Sequence, residues 1–321
     1  MRTTDLRRGA RTLAAVGLAS AVTIRVAELA AIARWRRIPD PASTSAAAEP
    51  AAVRQLAVKG GARLRVVEWG VGPPVLLVHG ITADWQDWRA VVPHLVESGH
   101  RVLAVDLRGH GASTLGRTRP RRARLADDLR EVLERLELRD VVIVGHSLGA
   151  YVALTLAVSH RTLVRDRVRG LVLVGGTPTM RRVHELATLA GNASSLTPLV
   201  QRHRRRGRIM MRLLAFGARP SLAAVDDIRL RWAGCPLPTR VAYARSLAGG
   251  ALGRRLRHVD VRVLAVCGTR DRIAPPRRSS AIVRRVPQGR LSWVDGAGHV
   301  LPRERPAQVA ELVAAFARTP A

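Results

Sequence analysis

Five short runs dominated by apolar residues constrain this chain more than any other feature of it: Val75-Leu76-Leu77-Val78, Val102–Val105, Val141–Val144, Leu171–Val174 and Val261–Val266. Runs of four to six without polar alternation are too short for helices and too apolar for strands that show one face to water. They read as strands buried on both faces. Helical patterns lie between them, most clearly Leu125, Leu129, Val132, Leu133 and Leu136 on one face, with Trp88–Glu97 before Gly99 and Val309, Leu312, Val313 and Phe316 near the C-terminus. Residues 53–58 and 62–69 alternate around Gly60-Gly61 and predict a β-hairpin, and 290–294 predict a last short strand. Strand and helix taking turns in this way imply an α/β protein, a mostly parallel sheet with helices on both faces.

One stretch breaks the rhythm. From about 178 to 255 no buried-strand run occurs, only Arg- and Leu-rich helical pieces broken by Gly and Pro. Too long for a loop, it predicts a helical cap inserted over the C-terminal edge of the sheet, where open α/β sheets bind ligands. The expected organisation is therefore an N-terminal segment over 1–50 and one domain over 51–321 carrying the cap.

The N-terminal segment admits three readings. Arg2, Arg7, Arg8 and Arg11 precede an apolar stretch from Leu13 to Ile24, which Arg25 and Glu28 interrupt before Arg34, Arg36 and Arg37. Membrane association through residues 1–37, an appendage lying on the domain and a cleaved signal all remain open. Residues 12–33 would span only if Arg25 and Glu28 were tolerated in lipid, and the expected location is cytoplasmic or membrane-associated. The Pro-, Ala- and Ser-rich residues 38–50 read as a linker.

The net charge of +30 would ordinarily point to nucleic acid, but Lys59 is the lone lysine and Arg supplies the rest of the 54 basic residues. That skew reads as a compositional bias, and no nucleic-acid module or aromatic stacking platform accompanies it, so no nucleic-acid partner is expected. Cys235 and Cys267 are too few for a disulfide framework or a zinc site, and no metal or cofactor is implied.

The chemistry is concentrated in post-strand loops. Gly145-His146-Ser147-Leu148-Gly149 follows the strand Val141–Val144 and opens a helix at Ala150. Small residues on both sides permit the sharp turn that lifts a serine hydroxyl clear of the sheet, which makes Ser147 the candidate nucleophile. Serine needs a base. His299, in Gly296-Ala297-Gly298-His299 after the last strand, is placed to reach across the sheet edge, whereas His146 reads as structural. Three acids could orient the base: Asp271 in Gly268-Thr269-Arg270-Asp271, Asp295 and Asp106. Asp271 alone gives the order Ser, Asp, His with each residue on its own post-strand loop.

These motifs, with His79-Gly80 and Asp106-Leu107-Arg108-Gly109-His110-Gly111-Ala112-Ser113, resemble the α/β-hydrolase superfamily in order and spacing from about Arg54 to the C-terminus, the cap excepted. The resemblance implies oxyanion-hole N–H groups at Ile81 and Leu148, bracing roles for His79 and Asp106, and packing for Trp88. Epoxide hydrolases and haloalkane dehalogenases of that superfamily carry an aspartate as nucleophile, so Ser147 disfavours their reactions. No acid follows Leu171–Val174, where Gly175-Gly176-Thr177 stands.

The expected function is hydrolysis of a small-molecule or lipid ester through an acyl-enzyme. Carbon–carbon bond hydrolysis, lactonase or thioesterase activity on the same residues, and a receptor role without turnover, are the alternatives. Leu213, Leu214, Phe216, Trp232 and Tyr243 are candidates to line an acyl pocket, Phe216 and Trp232 first. The cluster Arg202, Arg204, Arg205, Arg206 and Arg208 reads as a solvated face. The oligomeric state is not legible in the sequence.

Overall fold

The computed structural model describes residues 26, 29–40, 49–179, 203–246 and 251–319. Eight strands form one sheet: β1 (Ala52–Val58), β2 (Ala62–Trp69), β3 (Pro74–Val78), β4 (Arg101–Val105), β5 (Val141–His146), β6 (Val168–Val174), β7 (Arg262–Gly268) and β8 (Gly289–Val294). Their order across the sheet is β1-β2-β4-β3-β5-β6-β7-β8. β1 pairs antiparallel with β2 and β2 with β4, while every pairing from β4 to β8 is parallel.

The apolar runs form strands because both of their faces are covered. Leu76, Val78, Ile143, Leu171 and Leu173 face helices α2 (Arg122–Arg135) and α3 (Leu148–Ser159). Their neighbours in sequence, Val75, Leu77, Val142, Val144, Val172 and Val174, face α1 (Val92–Glu97) and the C-terminal helix. A short helix α4 (Arg161–Arg167) leads into β6. The region expected as one helix over Trp88–Glu97 is split. Trp85–Trp88 form a 3₁₀ turn capped by Asp84, whose carboxylate accepts the Gln86 N–H at 2.8 Å, and α1 begins at Val92. Pro93, lacking an N–H, is suited only to the first turn of that helix.

Between β6 and β7 the chain leaves the sheet. Its described residues there form α5 (Arg204–Ala215), α6 (Leu222–Gly234), α7 (Leu237–Ser246) and a 3₁₀ segment at Gly253–His258. After β7 come α8 (Pro276–Val283), then β8, α9 (Leu301–Glu304) and α10 (Pro306–Arg318).

Residues 29–36 are helical, and this helix and its C-terminal extension to Asp40 lie against the insertion. Ile32 is buried, the Arg212 guanidinium lies over the Trp35 ring at 6.0 Å, and the Ser221 hydroxyl donates to Asp40 at 3.5 Å. No helix among the described residues is long and apolar enough to cross a membrane, and the apolar stretch from 13 to 24 lies outside those residues.

Candidate active site

Parallel register sets the stage. Val78 pairs with Gly145, His146 with Val174, and Val174 with Val266, so the loops after β3, β5, β6 and β7 emerge side by side at one sheet edge. Ser147 sits where β5 turns into α3, at φ 51° and ψ −107°, a strained conformation for a residue with a side chain. The two flanking glycines are needed there. A Cβ on Gly145 would lie 2.4 Å from the Ala150 nitrogen, and one on Gly149 would lie 2.1 Å from the Val78 carbonyl oxygen.

The structure brings Ser147, His299 and Asp271 into one hydrogen-bonded line. His299 Nε2 is 2.9 Å from Ser147 Oγ, and His299 Nδ1 is 2.9 Å from Asp271 Oδ2. The other Asp271 oxygen accepts the N–H groups of Ile273 and Ala274 at 2.9 and 2.7 Å, which fixes the carboxylate at the end of β7. All three side chains are buried. Of the other two acids, Asp295 is exposed and accepts the Thr269 hydroxyl at 3.1 Å. Asp106 braces two loops instead, accepting the N–H of Trp85 at 2.7 Å and of Ala112 at 3.0 Å. Burial raises its pKa.

His79 accepts the Leu107 N–H at 2.9 Å and thereby ties the loop after β3 to the loop after β4. In that first loop the Gly80 N–H points to Asp87 at 3.5 Å and the Thr82 N–H donates to His110 Nε2 at 3.2 Å. Burial keeps His110 neutral, its pKa pushed down to about 3, so Nε2 stays an acceptor. Among the described residues the Ile81 N–H between them takes no acceptor. Leu148 opens α3, where the first-turn N–H groups have no partner within the helix. Gly175, at the position lacking an acid, packs on His299: a Cβ there would lie 3.2 Å from its Nδ1.

Sequence reasoning missed two carboxylates. Asp87 lies 2.6 Å from His146 Nδ1, whose Nε2 donates to the His299 carbonyl at 3.0 Å. Burial opposes both charges, yet their mutual attraction prevails, lowering Asp87 to about 2 and raising His146. Glu304 accepts the Gly298 N–H at 2.8 Å and the Gly217 N–H at 2.7 Å. Both acids sit among Trp, Arg and Pro with no helical or strand period to mark them as buried.

The pocket candidates scatter. Phe216 is buried in the insertion's own apolar cluster with Met211, Ala224, Val225 and Val300, and Trp232 packs at its margin. Leu213 and Leu214 are 55% and 40% exposed. Tyr243 is buried edge-on against His110 and donates to the Arg108 carbonyl at 2.8 Å. In the basic cluster, Arg208 is buried against Asp226, Arg204 and Arg206 are exposed, and Arg202 lies outside the described residues. Cys235 and Cys267 are buried free thiols that burial pushes up to about 11.

Residues 75–312 match the model of the alpha/beta hydrolase family. The chain belongs to that family. An uncharacterized protein of Mycobacterium tuberculosis is 30% identical over 273 residues, which cover 78% of this chain and 76% of the relative. A soluble epoxide hydrolase of Corynebacterium is 32% identical over 154 residues, 46% of this chain and 54% of that one. Among solved structures, a thermophilic esterase from Thermogutta terrifontis superposes with a TM-score of 0.69 at 28% identity, covering 84% of this chain and 98% of the esterase.

Proposed function

We propose that this alpha/beta hydrolase cleaves carboxylic esters through an acyl-enzyme on Ser147. The observation that carries the reading is the unbroken line from Ser147 Oγ through His299 to Asp271, with 2.9 Å at each step. In this reading His299 Nε2 takes the Ser147 proton as Oγ attacks the ester carbonyl. Asp271 holds the proton on Nδ1 and stabilises the imidazolium that forms. The N–H groups of Ile81 and Leu148 receive the oxyanion, each worth about 3 kcal/mol. His299 then passes its proton to the departing alkoxide, and a water activated by the same imidazole releases the acid. None of these steps calls on a metal or cofactor.

A serine nucleophile favours this reaction over the epoxide opening performed by the Corynebacterium relative, and the likeness to the Thermogutta esterase supports the ester class. Helices α5–α7 act in this reading as the cap over the site, with Phe216 and Trp232 setting the acyl range from within it.

The test is covalent labelling by a fluorophosphonate together with turnover of p-nitrophenyl esters of increasing acyl length. Labelling at Ser147 with turnover is the expected result, both lost in Ser147→Ala while the fold is retained. Labelling with negligible turnover of any ester would favour a receptor role, and a labelled site elsewhere would overturn the assignment of Ser147.

A further inference from the structure

The inserted helices touch the base more closely than a cap needs to, and a buried carboxylate makes the junction. Segment 215–218, which leaves α5, runs against loop 296–300 backbone to backbone: Ala218 N–H donates to the Gly296 carbonyl at 2.7 Å, and His299 N–H to the Ala215 carbonyl at 2.7 Å. The approach leaves no room for side chains. A Cβ on Gly217 would lie 2.0 Å from the Gly296 oxygen, and one on Gly298 would lie 2.4 Å from the Gly217 nitrogen. Two N–H groups are left pointing into the junction, those of Gly217 and Gly298, and Glu304 takes one on each oxygen at 2.7 and 2.8 Å.

We propose that Glu304 is a positioning residue, clamping the insertion to the histidine loop so that His299 stays in line with Ser147, and that Ser147 is about tenfold more reactive with Glu304 in its carboxylate form. The proposal rests on the hydrolase reading above. Two buried N–H donors need two acceptor oxygens. An ionised carboxylate supplies both, whereas a protonated carboxyl, or an amide, spends one position on a donor that would face an N–H.

The position in the chain gives the clamp its leverage. Gly298 immediately precedes His299, whose own N–H is held by Ala215 and whose carbonyl is held by His146. The charged groups facing Glu304 are Arg212 from α5 and Arg305 from its own helix end. Arg212 donates instead to the carbonyls of Phe216 and Ala218, and Arg305 to the Glu304 carbonyl, so among the described residues neither guanidinium forms an ion pair with the carboxylate. Burial accordingly prevails over the two backbone donors and pushes Glu304 up to about 7.

The experiment is the pH dependence of fluorophosphonate reaction with the full-length chain between pH 5 and 9. A single required deprotonation limits the fall on the acid side to about tenfold per pH unit. With Glu304 as a second base whose protonation lowers the rate about tenfold, the wild-type fall exceeds tenfold per unit over the range where Glu304 takes its proton. In Glu304→Gln it relaxes to about tenfold per unit, on a rate at pH 8 reduced about tenfold. A wild-type fall of only tenfold per unit overturns the proposal whether or not the variant folds. So does a folded Glu304→Gln with the wild-type slope. Absence of any Ser147 labelling in the wild type overturns the hydrolase reading and this proposal with it, whereas labelling that answers to a single proton overturns the proposal alone.

Discussion

Asp271 is fixed by two backbone donors and aims its free oxygen at His299 Nδ1, while Asp295, four residues before the histidine in sequence, is exposed and bonded to Thr269. Asp271→Asn should therefore lower kcat by about 10⁴-fold by favouring the wrong imidazole tautomer. Asp295→Asn should leave kcat near wild type, and a larger loss there would reverse the assignment of the orienting acid. Glu304 contributes to stability with the opposite sign to most carboxylates. Its folded-state pKa of about 7 stands above the ordinary 4.5, so the folded chain binds its proton more tightly than the unfolded one. Its contribution to stability is full below pH 4.5 and is lost as pH rises through 7, a difference of about 3 kcal/mol across that window. The carboxylate form is held at that cost, which argues that geometry at His299 rather than stability accounts for an acid in this place.

At the scale of elements, what was legible and what was not separates by the range of the forces involved. The strands could be read because burial on both faces leaves an apolar run in the local sequence, and the turn at Ser147 because Gly145 and Gly149 are forced by contacts within a few residues of Ser147 and with the neighbouring strand. Ser147, Asp271 and His299 each follow a strand, so parallel order alone gathers them at one edge. The pairing of Asp87 with His146, 59 residues away, and of Glu304 with Gly217, 87 residues away, leaves no such trace. The insertion is likewise opaque in sequence because its helices are placed by isolated polar anchors. Arg231 of α6 grips Asp84 at 2.7 Å and Gln86 at 2.8 Å, and Thr239 of α7 donates to the Gly109 carbonyl at 2.8 Å. With α5 joined to the histidine loop, all three helices are tied to loops at the sheet edge that carries Ser147, which is where the cap of the proposed function would have to be held. Trimming Phe216 or Trp232 to Ala, in the cluster that packs on Val300 next to His299, should shift the preferred acyl length mainly through kcat/KM, by about 1–3 kcal/mol per methylene accepted or lost. A chain-length profile unchanged in both folded variants would remove these residues from the specificity of the site.

For the whole molecule, membrane association through the N-terminal segment remains a proposal, and charge and apolarity give it separate tests. Residues 1–50 hold eight arginines and four acids, so 26 of the 30 net positive charges lie beyond them, spread over the hydrolase domain. Any long-range attraction to an anionic bilayer would therefore come from the domain and be screened by salt. Any apolar partition would come from residues 13–24, the long apolar stretch that the sequence places before the sheet domain, and would be insensitive to salt. The two are separable by deleting residues 1–48, since β1 begins at Ala52 and every motif of the site lies after it. The truncated chain should fold and label at Ser147, with a melting temperature lower by several degrees because the burial of Ile32 and the contacts of Trp35 and Asp40 with the insertion are gone, on the order of 1–2 kcal/mol. On phosphatidylcholine vesicles the full chain should sediment with the lipid and the truncated chain should stay in the supernatant. On phosphatidylglycerol vesicles both should bind at low salt, and salt near 0.5 M should release only the truncated form, since the Debye length is then about 4 Å. Equal partition of the two forms under all three conditions would mean that residues 1–48 are an appendage to the hydrolase and not its anchor.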